Sequence, residues 1–192
     1  MDSARKMLTV LITTCLCAAV ALCLVFVMTK DDIELKQRLK FVRAIKAVLP
    51  VEYLSKEVDI INYPLCKEDC KVCNIIYIVK EKSKVVALAT EVTVKGYGGR
   101  VSVIVGVGED NKITGLKVVQ HSETPGLGAN IIKDVFQRQF AGRDETIKLK
   151  KDGGNIDHVT GASVSSRAVV KCAKEGLGFI IKNRSIVNYN SG

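Results

Sequence analysis

The sequence predicts an α+β domain, an antiparallel sheet with flanking helices, carried on a single N-terminal transmembrane helix. Three observations predict it. Residues 7–28 form an uncharged apolar run, four β-branched stretches follow between residues 75 and 120 at hairpin spacing, and helical periodicity returns in the last third of the chain. At 192 residues, with 47% hydrophobic and 26% charged, the chain suits one domain and a short appendage, not a large multidomain enzyme. Three Pro and 15 Gly exclude collagen-like and disordered classes.

The apolar run comes first. At about 1.5 Å of rise per residue it reaches the roughly 30 Å of a hydrocarbon layer. Its only hydroxyl side chains are Thr9, Thr13 and Thr14, and no small-residue cleavage site follows, so it reads as a retained anchor and not a signal peptide. All its faces are apolar, which disfavours a buried helix of a soluble domain. Arg5 and Lys6 precede it while Lys30, Asp31 and Asp32 follow. The positive-inside tendency then puts the N-terminus in the cytoplasm and the main domain outside, a single-pass topology in the cell (inner) membrane. Cys15, Cys17 and Cys23 inside the run act as small apolar groups.

Residues 31–49 space Ile33, Leu35, Leu39, Val42, Ile45 and Val48 for a helix continuing out of the membrane, with Pro50 ending it. The run CKEDCKVC then carries Cys66, Cys70 and Cys73. Outside the cytoplasm a disulfide or unpaired thiols are the plain reading; a soft metal or iron–sulfur cluster is the other. Asn74 after Cys73 excludes the haem-attachment signature. Residues 75–80, 85–94, 101–107 and 113–120 read as four strands, with turns at Lys82-Ser83, Gly96–Gly99 and Glu109–Asn111 that favour antiparallel pairing. Ile131, Ile132, Val135, Phe136 and Phe140 can form one face of a helix stopping near Gly142, and a short strand at 147–149 follows. The last helix begins between Ser163 and Ser166 and runs to about Lys182, with Val169, Cys172, Ala173, Gly176, Phe179 and Ile180 on its inner stripe. The organisation is therefore a stub and anchor over residues 1–30, a membrane-proximal helix and cysteine segment over 31–84, and a main domain over 85–192.

The net charge of +9 is spread along the chain, with +7 beyond residue 30, and reads chiefly as a solvated surface. Aromatics make up 5% with no Trp, so the stacking platforms of single-stranded nucleic-acid binders are thin, and no nucleic-acid partner is expected.

Two stretches are too constrained for ordinary connectors. His121–Gly128, HSETPGLG, follows a strand and precedes a helix; its glycines permit close backbone approach while Pro125 stiffens the turn. Glu123 and Thr124 offer an acceptor and a hydroxyl. Taken alone it is also a routine turn. The second, DHVTGASVSS at 157–166, sets hydroxyls where a helix starts. A phosphate there would meet amide donors and the positive helix end, or Thr160, Ser163 or Ser165 could simply cap the first turn.

These two motifs in this order, with KGYGG at 95–99 and an N-terminal anchor, resemble the G subunit of Rnf ion-translocating electron-transfer complexes. The C subunit of sodium-translocating NADH:quinone reductase is the nearest cousin. The resemblance covers about residues 85–179 and implies an FMN-binding domain. In that family a flavin transferase joins FMN through its phosphate to the last hydroxyl residue of Asp-x-x-Ser/Thr-Gly-Ala-Thr, and the matching position is Ser163. The family usually has Thr there, but a serine hydroxyl can form the same phosphoester without the β-branched stiffness. Ser165 and Ser166 are fallback acceptors. The resemblance further implies that the GYGG turn, Glu123, Thr124, Leu127 and Gly128 line the flavin pocket, with Thr160, Gly161 and Ala162 near the phosphate. His121 reads as a local hydrogen-bonding residue.

The implied function is an electron-carrying flavoprotein component of a membrane complex coupling ferredoxin:NAD oxidoreduction to Na+ or H+ translocation. Other subunits of that complex and a flavin transferase are its partners. No Gly-x-Gly-x-x-Gly sits in a βαβ unit, so NAD belongs to another subunit. The alternatives are a quinone-reductase-type or stand-alone FMN-binding domain, and a non-catalytic membrane-tethered binding module.

Overall fold

Alternating β-branched residues separated by short polar or glycine turns leave a chain little choice but to fold back on itself strand by strand. In the computed structural model, which describes residues 2–49, 59–65, 74–81 and 84–189, this yields a five-stranded antiparallel meander in the order β1-β2-β3-β4-β5. The strands are β1 (Asp59–Leu65), β2 (Asn74–Glu81), β3 (Lys84–Lys95), β4 (Arg100–Val107) and β5 (Ile113–His121). The four expected strands are β2 to β5. β1 was not expected, because Pro64 interrupts its run; as an edge strand it tolerates the missing donor.

β4 is buried on both faces. On one face Val101, Val103, Val105 and Val107 meet the long helix α3 (Ser163–Tyr189), whose Val169, Cys172, Ala173, Leu177 and Ile180 complete the main core. Gly176 brings the helix close: a Cβ there would lie 3.1 Å from Val105 and 3.3 Å from Val92. Val48, just beyond the first helix, packs on the other face, where its carbonyl accepts from Thr114 Oγ1 at 2.6 Å. α3 starts at Ser163, as expected, and continues past Lys182.

The helix expected across 131–140 is broken. Lys133 is extended (φ −67°, ψ 135°) and splits the segment into a 3-10 turn, Gly128–Ile132, and the single-turn α2, Asp134–Gln137, followed by a second 3-10 turn at Arg138–Phe140. Ile131, Phe136 and Phe140 still point inward, the two rings edge-to-face at 5.5 Å, but the break turns Val135 out to 82% exposure and leaves Ile132 about half exposed. In place of the expected strand at 147–149 there is one parallel bridge, Leu149 to Ile156, and a 3-10 turn at Lys150–Asp152.

The N-terminal helix α1, Asp2–Ala47, is continuous, so the apolar run and the helix after it form one element. Residues Arg5–Lys30 are long and apolar enough to cross a membrane. Thr9, Thr13, Thr14 and Thr29 return their hydroxyl protons to carbonyls one turn back at 2.8–3.0 Å, as an apolar surrounding would require. The chain divides into two compact units, Met1–Phe41 and Val42–Gly192. Cys66, Cys70 and Cys73, the Lys82-Ser83 turn and Pro50 lie outside the described residues.

Candidate functional site

The site is built where β5 runs out. The turn after β3 closes through Gly96 N–H to the Gly99 carbonyl at 2.7 Å, and Ser122 N–H still reaches the Arg100 carbonyl at 3.1 Å, so Glu123 arrives beneath the GYGG turn. Its side chain is 5% exposed. A carboxylate buried without partners is costly, and here three donors satisfy it: Tyr97 N–H to Oε1 at 2.8 Å, Gly98 N–H to Oε2 at 3.2 Å, and the Ser165 hydroxyl to Oε2 at 2.7 Å. Glu123 thus ties the GYGG turn to the start of α3. Gly128 comes in against this knot: a Cβ there would stand 2.7 Å from Glu123 Oε2 and 2.8 Å from Ser165 Oγ. His121 Nδ1 accepts the Glu123 N–H at 3.3 Å, a local bond.

The second motif is pinned at both ends. Asp157 N–H donates to Gln139 Oε1 at 2.7 Å, and its carboxylate pairs with Lys150 Nζ at 2.8 Å. Gly161 then takes the left-handed region at φ +75°, where a side chain costs about 1–2 kcal/mol. Ser166, fully buried, accepts from Val159 N–H at 3.0 Å and donates to the Ala162 carbonyl at 2.9 Å, stitching the turn to the helix. Ser165, also buried, gives its proton to Glu123. Ser163 differs. It is only part-buried, and its Oγ accepts from Lys151 Nζ at 2.7 Å.

A cleft of about 390 Å³ opens between the two motifs, within the roughly 300–1,000 Å³ usual for small-molecule sites. It brings together Glu123, Thr124, Leu127, Gly128, Gly161, Ala162 and Ser163, along with Tyr97, Val164 and Ser165. Thr160 is exposed on the preceding turn and does not line it. Tyr97, Leu127 and Val164 are 73%, 50% and 48% exposed, apolar surface left uncovered at the mouth. A larger groove of about 960 Å³ lies along β3 past Tyr77, Glu91 and Phe179 and shares none of these residues. Burial raises the Glu91 carboxyl above its ordinary range there, opposed by a Ser102 hydrogen bond. The cleft is the better candidate because residues of both motifs line it, whereas none of them lines the groove.

Residues 96–178, which contain the GYGG turn and both motifs, match the FMN-binding domain family. Over 167 residues the chain is 32% identical to the G subunit of the ion-translocating oxidoreductase complex of Vibrio atlanticus, a match covering 81% of this chain and 80% of that one. The chain belongs to this G-subunit family. Another member, the G subunit of the proton-translocating ferredoxin:NAD(+) oxidoreductase complex of Clostridium ljungdahlii, is 38% identical over 105 residues, 53% of this chain and 57% of that one. In fold the chain resembles the C subunit of the Na(+)-translocating NADH-quinone reductase of Parabacteroides distasonis, with a TM-score of 0.54 at 17% identity, over 77% of this chain and 93% of that structure.

The residues present fit the flavin nucleotide of this family. The Lys151 ammonium, the Ser163 hydroxyl and the first amides of a long helix, which have no intrahelical partner, make a donor set for a phosphate. Tyr97, Leu127 and Val164 offer apolar surface for a ring system. The sequence motifs do not include Lys151 or its neighbour Asp152, which receives a two-pronged bond from Arg167 at 2.9 and 2.7 Å that keeps its carboxyl below the ordinary range. In the sequence, KKDGG is one charged turn among many, and nothing in it marks one lysine.

Proposed function

We propose that this chain is the FMN-bearing electron carrier of a membrane complex that couples ferredoxin:NAD oxidoreduction to Na+ or H+ translocation. In this reading a flavin transferase esterifies FMN to Ser163 Oγ, and Arg5–Lys30 spans the membrane with residues 42–192 on the extracytoplasmic side. The other subunits supply the NAD site and the ion path. The name of the Clostridium relative supports the ferredoxin and NAD part of the reading.

The observation that carries it is the contrast among three hydroxyls. Ser165 and Ser166 are buried and their protons committed within the chain, whereas Ser163 lines the cleft, accepts from Lys151 and gives its own proton to no acceptor among the described residues. A nucleophile needs both access and a transferable proton. Esterification forms an Oγ–P bond and breaks the phosphoanhydride bond of an activated FMN donor; the serine proton goes to solvent and the second phosphate departs. Bound FMN accepts and passes on one or two electrons. The tether keeps the carrier in a compartment without a flavin pool. Around it, Glu123 fixes the spacing between the GYGG turn and α3, and Tyr97, Leu127 and Val164 cover the ring against water.

The test is peptide mass spectrometry of the full chain coexpressed with a flavin transferase, with in-gel flavin fluorescence after denaturation. The Ser163 peptide is expected to be heavier by FMN less one water, and Ser163→Ala to lose the fluorescence while Ser163→Thr keeps it. An unmodified Ser163 peptide, or fluorescence that survives Ser163→Ala, overturns the attachment.

A further inference from the structure

We propose that Lys151 is the cationic seat of the phosphate at Ser163, a role that rests on Ser163 being the attachment point. Lys151 Nζ already lies 2.7 Å from Ser163 Oγ. A phosphoester oxygen there would convert a neutral contact into a charge-assisted one at the same reach.

The lysine is placed by structure it does not itself make. The 3-10 turn Lys150–Asp152 crosses three times in succession to the second motif and the residue after it: Lys150 to Asp157, Lys151 to Ser163, and Asp152 to Arg167. Its base is fixed by Lys150 N–H to the Ile156 carbonyl at 2.8 Å and Gly154 N–H to the Leu149 carbonyl at 2.9 Å, between the buried Leu149 and Ile156. The backbone beneath Lys151 therefore stays in place while its side chain points at Ser163.

The charges are sorted. Asp157 is paired with Lys150 and Asp152 with Arg167, and no other carboxylate ion-pairs with Lys151 among the described residues. Two cations of the cluster are neutralised and one faces a hydroxyl. The Asp152 carboxylate feels the Lys151 charge but is hydrogen-bonded by Arg167, so the Lys151 ammonium, hydrogen-bonded to the neutral Ser163 hydroxyl, keeps part of its charge for a phosphate there. Such a seat would dock the activated donor and afterwards hold the ester.

The experiment compares wild type, Lys151→Met and Lys151→Arg as full chains in detergent with purified transferase and an activated FMN donor. It follows the rate of Ser163 modification by mass, then the fluorescence anisotropy of the attached flavin against salt. Lys151 is exposed, so all three are expected to melt together. Lys151→Met is expected to slow modification about tenfold, the effect of losing one charged hydrogen bond, and to lower the anisotropy and remove its salt response. Lys151→Arg, which keeps the charge, is expected to restore most of both. Wild-type rate and anisotropy in Lys151→Met overturn the proposal and leave Ser163 as the attachment point; so does a loss that Lys151→Arg does not repair. A wild-type chain unmodified at Ser163 overturns the attachment reading and this proposal together.

Discussion

Glu123 commits both carboxylate oxygens to the chain's own donors, one of them on α3 and two on the GYGG turn. Its work is to hold the cleft's two walls at a fixed spacing. Glu123→Ala would strand two amide donors and a buried hydroxyl, at a cost of about 3 kcal/mol, measurable by urea unfolding of the full chain in detergent. Glu123→Gln keeps the shape and one acceptor, so a smaller loss is expected; equal losses would mean that volume and not hydrogen bonding sets the cost. Cys172 gives the second residue-scale prediction. Burial, with the Glu175 charge adding to it, pushes its thiol from an ordinary value of about 9 up to about 12. The folded chain keeps this proton to higher pH than the unfolded chain, whose thiol ionises near 9, so between about pH 9 and 12 unfolding releases a proton and stability falls as pH rises. The loss is up to about 1.4 kcal/mol per pH unit over that window, and Cys172→Ala should lack this component. Melting curves from pH 7 to 11 for both chains check it, and parallel curves would refute it.

Elements were legible where one face is buried and the period is plain. β2 to β5 and the start of α3 follow from alternation, turn residues and the hydroxyl cluster, and the inner placement of Cys172 follows from helical spacing. The broken helix was not legible, because Ile131, Phe136 and Phe140 keep helical spacing although the backbone is interrupted at Lys133. β1 was hidden by Pro64, which reads as a breaker until the strand is known to lie at an edge. The site divides in the same way. Its two motifs are contiguous in sequence and could be read; the Lys151–Ser163 contact joins residues 12 apart through a turn whose geometry no periodicity encodes. Gly161 connects this to stability at the scale of the element. Gly161→Ala puts a Cβ in the left-handed region and 3.2 Å from Leu127 Cδ2, so a loss of about 1–2 kcal/mol is expected, with slower modification of Ser163 as the start of α3 shifts. Hydrogen exchange at residues 163–166 checks whether the disturbance stays local; unchanged protection would put the loss elsewhere.

At the scale of the whole molecule, an electron carrier is useful only on the correct side of the membrane and held to it. Residues 7–29 carry no charge and their threonine hydroxyls bond back to the helix's own carbonyls, so the stretch could enter lipid without leaving a charge or a hydroxyl unsatisfied. Orientation is then left to flanking charge: Arg5 and Lys6 at one end, and Lys30 offset by Asp31 and Asp32 at the other. If that difference governs, residues 42–192 face outward, and protease added to intact spheroplasts should remove the fluorescent Ser163 peptide without lysis. Exchanging the flanks, with Arg5 and Lys6 made Asp and with Asp31 and Asp32 made Lys, should reverse the result and leave the chain unmodified if the transferase works outside. A flavin that resists external protease in the native chain would place the carrier in the cytoplasm. The tether would then need another reason than retention outside the cell, because a cytoplasmic flavin could be replenished from the internal pool.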